Sequence, residues 1–238
     1  MHRNGRSIGQ RILLLLLTLM VLISFTACKE EELPDDYLAT TCTQDSVDEF
    51  MEILGEVELG GLLSGMKLDR AHCYNVTPPA VSAQTDVKIF KFSDSCESFV
   101  LLDGEIYSLC KSFGGYGFVN AVPWDYDGDG NLDLLVASSW GSGLHRSELS
   151  VFNTQTKESI LFYDSSEADD PSADLIVAAG SPSSFSKKPE NIPVYYYVFS
   201  VDVEVKDSNL ADLSFTMNRL VGEVTVKDGK PVFEPKAS

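Results

Sequence analysis

After residue 86 the chain becomes a series of short apolar stretches, and apolar and polar residues alternate with a period of two at residues 87–92, 201–206 and 213–217. This alternation places one face of a strand in a core and the other in water, so it predicts a series of short strands. The Asp-Gly pairs at 103–104 and 228–229 predict tight hairpin turns. The predicted strands span residues 87–92, 99–102, 105–109, 117–122, 132–138, 148–152, 159–163, 175–179, 194–206 and 213–217, and a last hairpin joins residues 224–226 to residue 232.

A different spacing marks a short segment upstream of these strands. We predict a helix from about Ser46 to Leu54, because apolar residues recur there on one helical face and Gly55 follows. Gly and Pro then recur through residues 55–86 and favour loops. The chain therefore divides into a predicted signal peptide at 1–27, an acidic tether at 28–43, a helix and loop-rich N-terminal segment at 44–86, and a β domain at 87–238.

The strand pattern predicts a mainly β fold. Many short strands with turn signals between them are typical of an antiparallel sandwich or barrel, or of a partial propeller-like sheet system, here with one short N-terminal helix. Residues 131–138 and 173–180 are weakly similar, at a spacing close to one propeller blade. The aspartates of the first segment are not repeated in the second. We therefore expect a compact single sheet system rather than a full propeller.

The first residues of the chain predict export. Residues 3–11 carry three Arg, and the apolar run at 12–25 is shorter than the roughly 20 residues that span a bilayer, which is typical of a secretory signal. The run ends in Phe-Thr-Ala-Cys at 25–28, which resembles the lipobox of bacterial lipoproteins, with Phe25 where Leu is common. The resemblance implies cleavage before Cys28 and acylation of that cysteine. An ordinary signal peptide with an incidental cysteine is the alternative.

The charge of the chain agrees with an extracytoplasmic location. Lys-Glu-Glu-Glu at 29–32 resembles the short acidic tag that directs a class of bacterial lipoproteins to the cell surface, although a solvated acidic tether would also have this composition. With 36 acidic and 18 basic side chains the formal net charge is −18, which disfavours nucleic acid as a partner. We expect a lipid-anchored protein of the cell envelope or cell surface, attached to the membrane through its anchor.

Four cysteines remain when the lipid-bearing one is set aside. An even number outside the cytoplasm permits two disulfides. Cys96 and Cys110 flank a predicted hairpin that brings them nearly opposite each other, so we prefer this pair together with Cys42–Cys73. Buried thiols are the alternative. The chain has no closely spaced set of Cys and His that would predict a zinc site.

The stretch WDYDGDGNLD at 124–133 concentrates negative charge in a few residues. Hard oxygen ligands at alternate positions are what calcium requires, and carboxylates this close repel each other without a cation. A solvated turn and a catalytic carboxylate pair are the alternatives. The predicted ligands are the side chains of Asp125, Asp127, Asp129 and Asp133 and the backbone carbonyl of Asn131.

The spacing of this loop, residues 125–133, distinguishes two kinds of calcium site. An EF-hand places a bidentate Glu at position 12, where this chain has Val136 inside an apolar segment. The loop instead resembles the shorter D-x-D-x-D-G-x-x-D loop of FG-GAP and VCBS repeats, known from integrin-type propellers. The resemblance covers roughly residues 115–140 and implies one Ca²⁺ held between two strands. The ion is then more plausibly structural than catalytic, because its ligands all face one cation.

The segment at 140–147 is the second candidate for chemistry. His145 and Arg146 lie at its polar tip, where they contact either an anion or other ligand beside the calcium loop, or nearby acids in an ordinary hairpin connection. The chain has no G-x-S-x-G elbow, phosphate-binding loop or dinucleotide-binding motif, so we predict no catalytic residue.

These features together predict a calcium-stabilised, β-rich binding module of a lipid-anchored cell-envelope lipoprotein. Its expected ligand is a protein or a glycan. An envelope hydrolase with an unidentified site, or an accessory subunit of a surface complex, are the alternatives.

Overall fold

The computed structural model describes seven stretches of the chain. They are residues 42–55, 68–93, 97–110, 114–167, 174–178, 191–200 and 214–236, with side chains described for all but 198–200 and 214–217. The predicted signal peptide, Cys28 and the predicted tether up to residue 41 lie outside these stretches. Within the described residues, no helix is long and apolar enough to cross a membrane.

Twelve strands and two α-helices make up the described structure, together with two single turns of 3₁₀ helix. The helices are α1 (Val47–Gly55) and α2 (Pro79–Ser82). The strands are β1 (Cys73–Asn75), β2 (Lys88–Phe92), β3 (Ser98–Leu102), β4 (Glu105–Ser108), β5 (Gly117–Trp124), β6 (Asp133–Trp140), β7 (Arg146–Asn153), β8 (Glu158–Asp164), β9 (Leu175–Val177), β10 (Ile192–Ser200), β11 (Ser214–Lys227) and β12 (Lys230–Pro235).

The strands form three antiparallel sheets of four strands each. Sheet 1 holds β1–β4, sheet 2 holds β5–β8 and sheet 3 holds β9–β12, and in each sheet every strand pairs with the next one along the chain. The predicted mainly β, antiparallel fold class is confirmed. The expectation of a single sheet system was wrong, because the middle sheet is buried on both faces and needs a layer on each side. All of β5 is buried, as is all of β6 except its last residue.

Three apolar cores join the layers in the order α1, sheet 1, sheet 2, sheet 3. The core between α1 and sheet 1 contains Val47, Phe50, Leu54, Cys73, Phe90, Phe92, Phe99 and Leu101. The core between sheets 1 and 2 includes Ile89, Val100, Leu102, Phe118, Leu134, Val136 and Phe152. The core between sheets 2 and 3 includes Val119, Leu135, Leu149, Val151, Ile176, Val194 and Val224. The described strands thus form consecutive four-stranded meanders packed face to face.

Helix α1 covers the outer face of sheet 1 with an aromatic cluster. Phe50 stacks on Phe90 with ring centroids 4.2 Å apart, and the rings of Phe92 and Phe99 lie 6.3 and 5.9 Å from it. All four rings are almost completely buried. The apolar stripe predicted for this helix is therefore the contact that closes the first layer, since stacked and edge-on aromatic pairs add to the gain from burial.

Sheet 1 begins earlier in the chain than the sequence indicated. Strand β1 lies before residue 87, in the predicted loop-rich segment, and pairs with β2 in a register that places Cys73 opposite Phe92. Thr43 adds an antiparallel bridge to Asn75. A strand of three residues is too short for its alternation to be recognised against its neighbours.

The three connections β3–β4, β5–β6 and β7–β8 lie at one end of the stack, which we call the loop end. Their turn residues are 103–104, 125–132 and 154–157. An ion pair between Lys157 and Asp103 joins the β7–β8 turn to the β3–β4 turn. Asp103 and Gly104 have φ of 54° and 79°, as expected for the predicted hairpin turn.

Asn120 connects sheet 2 to sheet 3 through its side chain. Its amide nitrogen donates to the carbonyl oxygen of Val177, and its amide oxygen accepts from the Val177 backbone N–H at 3.2 Å. Asn120 is only 5% exposed. The amide thus gives β9 the two hydrogen bonds that a neighbouring strand would provide.

We predict that Asn120→Leu destabilises the protein by about 2 to 5 kcal/mol, because it leaves a buried N–H and a buried C=O of Val177 unpaired. Urea unfolding followed by circular dichroism measures the loss. The control is Asn218→Leu, which changes an exposed residue of β11 and should stay within about 0.5 kcal/mol of the wild type. Equal stability of the two variants would contradict the role of Asn120.

Candidate metal centre

The loop between β5 and β6 gathers carboxylates around one point. Asp125, Asp127 and Asp129 each offer an oxygen atom, and these three atoms lie within 4.8 Å of one another. Calcium takes oxygen ligands at 2.3–2.6 Å, so two oxygens on the same ion lie at most about 5 Å apart. The three oxygens are therefore close enough together to share one calcium ion.

Short-range hydrogen bonds to these carboxylates shape the loop. The N–H of Asp129 donates to Asp127 at 3.1 Å, that of Gly130 to Asp125 at 3.2 Å, and that of Asn131 to Asp129 at 2.7 Å. The Asn131 side-chain amide also donates to Asp129 at 3.0 Å. The side-chain amide of Asn131 is thus directed to a carboxylate, and the role of its backbone carbonyl as a metal ligand stays a prediction.

Two glycines let the chain turn within the loop. Gly128 and Gly130 have φ of 76° and 93°, a region that residues with a side chain rarely adopt. Nothing within 4 Å would block a Cβ at either position, so backbone conformation rather than space requires glycine there. The alternation of Asp and Gly in the sequence therefore serves both the ligands and the turn.

Asp133, the first residue of β6, is the fourth predicted carboxylate ligand and lies outside the group of three whose oxygens are within 4.8 Å of one another. It is 1% exposed, and its Oδ1 accepts from the N–H of Thr154 at 2.8 Å. Its Oδ2 is buried without a hydrogen-bond partner among the described residues. Burial, together with the charges of Asp127 and Asp129, raises the pKa of Asp133 to about 6. A buried carboxylate oxygen without a donor is costly, and a cation would remove that cost, so the residues of this loop fit a hard divalent ion.

His145 and Arg146 lie far from this loop. They follow the end of β6 that is opposite Asp133, so the length of an eight-residue strand, about 23 Å, separates them from it. Their predicted position beside the calcium loop was wrong. The reason is that β6 runs the full length of sheet 2 before the chain turns.

Both side chains contact aromatic rings in a hairpin connection. The His145 ring meets Tyr116 edge-on with centroids 4.5 Å apart, and the Arg146 guanidinium lies 5.1 Å from the centre of the Trp140 ring. Burial raises the pKa of Asp174, and the charge of His145 partly offsets that rise. These contacts agree with an ordinary hairpin connection, although the observed partners are aromatic rings rather than the nearby acids that this alternative named.

The described residues contain no disulfide between Cys42 and Cys73, and the predicted Cys96–Cys110 pair lies partly outside them. Cys42 and Cys73 are not bonded to each other, because the Thr43–Asn75 bridge places Cys42 three residues out of register with Cys73, about 10 Å along the strand. Cys110 is also a thiol, and its predicted partner, Cys96, lies outside the described residues. Cys73 is a buried thiol, which is the alternative to a disulfide.

Comparisons of the chain with protein-family models, with curated proteins and with solved structures found no match. The function proposed below therefore depends on the residues of the chain and on their geometry.

Sequence reasoning missed one residue of this site, Thr154. It lies 21 residues after Asp133 and reaches it only because β7 returns the chain to the loop end. No local motif marks this contact in the sequence.

We predict that the described thiols are unoxidised and that the buried ones react slowly. Burial raises the pKa of Cys73 and of Cys110 to about 12, so about one thiol in ten thousand is ionised at pH 8. Alkylation without a reductant should label both residues fast in denaturant and slowly in the folded protein. Mass spectrometry of the peptides measures this. A Cys42–Cys73 disulfide-linked peptide in the unreduced digest would contradict it.

Proposed function

We propose that this protein is a lipid-anchored, extracytoplasmic binding module whose β fold is stabilised by one calcium ion and whose ligand is a protein or a glycan of the cell envelope or its surroundings. One observation carries the calcium assignment. Three loop carboxylates offer oxygens within 4.8 Å of one another, and a fourth, from Asp133, is buried with an oxygen that no described group satisfies.

The loop also supports a structural rather than a catalytic role for the ion. Asp125, Asp127, Asp129 and Asp133 would all be ligands of the same cation, which leaves none of them to act as a general acid. Extracellular calcium modules bind with dissociation constants of about 10⁻⁴ to 10⁻³ M, so calcium at about 1 mM adds roughly 0.4 to 1.4 kcal/mol of stability. That is enough to order the loop end and too little to drive folding of the whole chain.

The proposed location rests on the sequence. The basic head, the apolar run at 12–25 and the Ala-Cys pair at 27–28 favour export and lipidation. A module held outside the cytoplasm meets calcium at about millimolar concentration, which is the range that the loop requires.

We predict that calcium at about 1 mM raises the melting temperature of the wild type by about 1 to 6 °C relative to chelator. Asp127→Asn should abolish most of this shift, because it removes a charged ligand. Asp228→Asn, in an exposed turn between β11 and β12, is the matched control and should keep the shift. Differential scanning calorimetry measures all three proteins. Equal melting curves in calcium and in chelator for the wild type would refute the calcium assignment.

We predict that the wild type fractionates with membranes and incorporates labelled fatty acid, and that Cys28→Ser does neither. The acylated residue would be Cys28. More than one acyl chain on it would give stable anchoring. Fractionation and metabolic labelling in a bacterial host measure this. Membrane association of Cys28→Ser equal to that of the wild type would contradict the anchor.

Ligand binding by the module is tested with the same loop variant. Immobilised wild type, Asp127→Asn and Asp228→Asn proteins are exposed to a glycan array and to solubilised envelope proteins, in calcium and in chelator. We expect a ligand that the wild type and Asp228→Asn retain in calcium and that Asp127→Asn retains less. No ligand in either collection would count against the binding function and leave the calcium assignment to the melting experiment.

A further inference from the structure

The β7–β8 turn, residues 154–157, lies directly against the aspartate loop. The backbone N–H of Thr154 donates to Oδ1 of Asp133 at 2.8 Å. The Thr154 hydroxyl donates to the carbonyl oxygen of Leu132 at 2.9 Å, and it shares the same proton weakly with Oδ1 of Asp133, 3.4 Å away. Thr154 therefore contacts both Leu132 and Asp133, the two residues through which the chain passes from the loop into β6.

These bonds leave the Asp133 carboxylate with two unlike oxygens. Oδ1 accepts from two groups of Thr154, whereas Oδ2 is buried without a hydrogen-bond partner among the described residues. Donors on one oxygen fix the rotation of the carboxylate, so the other oxygen keeps a constant direction. Asp133 follows the loop directly as the first residue of β6, and the charges of Asp127 and Asp129 act on it.

The turn itself is held rigidly enough to act as a support. The side-chain oxygen of Asn153 accepts from the N–H groups of Gln155 and Thr156 at 3.0 and 2.8 Å. The Tyr126 hydroxyl, inside the aspartate loop, hydrogen-bonds to Asn153 as well. On its far side the turn is joined to sheet 1 by the ion pair of Lys157 with Asp103.

We infer that the β7–β8 turn is the second half of the calcium site and that Thr154 is its positioning residue. This inference rests on the proposed calcium site. Thr154 does not touch the ion. It fixes the orientation of the Asp133 carboxylate, so Oδ2 faces the ion and the Asp133 side chain loses no further conformational freedom when calcium binds. Residues that orient metal ligands in this way typically change affinity by 10- to 100-fold when they are removed.

The test compares calcium binding by full-length wild type, Thr154→Val, Thr154→Ser and Thr156→Val. Valine removes the hydroxyl, and with it the bond to Leu132 and the weaker contact with Oδ1, but keeps the side-chain shape and the backbone N–H that donates to Oδ1; serine keeps the hydroxyl. Thr156 is the matched control, because it lies exposed in the same turn. Titration calorimetry with calcium alone gives the affinity, and terbium luminescence excited through Trp124, next to the loop, reports the site itself. Melting in chelator reports the stability of each metal-free protein.

We expect Thr154→Val to weaken calcium binding by about 10-fold or more, with Thr154→Ser and Thr156→Val within about 2-fold of the wild type. A purely structural role of Thr154 would lower the melting temperature in chelator and leave the calcium affinity unchanged, and that result would overturn the inference. If Thr154→Val does not fold, an unchanged affinity of Thr154→Ala overturns it in the same way. A wild type that binds no calcium refutes the proposed site, whereas a wild type that binds it without dependence on Thr154 refutes this inference alone.

Discussion

Burial of sheet 2 on both faces is the constraint on which the rest of the structure depends. Strands β5 and β6 carry apolar residues on both sides, so water cannot face either surface of this sheet. One side is covered by sheet 1 and the other by sheet 3. Sheet 1 then has an open outer face of its own, and α1 closes it with Phe50. The stack of layers is thus the consequence of one sheet that has no polar face.

The same constraint positions the aspartate loop, the proposed calcium site. Because β5 and β6 are fixed on both faces, the ends of the two strands are fixed as well, and the loop between them starts and finishes at rigid points. Asp133 is the first residue of β6 and is buried by this packing, which is why its unsatisfied oxygen costs free energy. The core therefore preorganises one ligand, while the other three lie in the exposed loop and are ordered by their own hydrogen bonds.

Polar groups between the layers supply specificity that apolar packing lacks. Asn120 bonds to both backbone groups of Val177, and Thr154 bonds to Asp133 and to the chain before it. Asn120 and Val177 belong to different sheets, so buried polar groups would be unpaired if sheet 3 shifted on sheet 2. Thr154 and Asp133 belong to the same sheet, and their hydrogen bond holds the β7–β8 turn against the start of β6 at the loop end.

The sequence by itself determined the local features. Short apolar stretches marked most strands, the Asp103-Gly104 pair predicted its hairpin, and the aspartate spacing defined the loop, because each of these depends on a few adjacent residues. It did not reveal β1, which is too short. It also did not reveal that the predicted segments at 213–217 and 224–226 belong to one strand, β11. Only the tertiary structure decided how twelve strands divide into three sheets, that Thr154 meets Asp133, and that His145 lies at the opposite end. Those outcomes depend on which faces of the sheets pack against each other. Periodicity along the chain identifies the apolar face of a strand but not the face that packs against it.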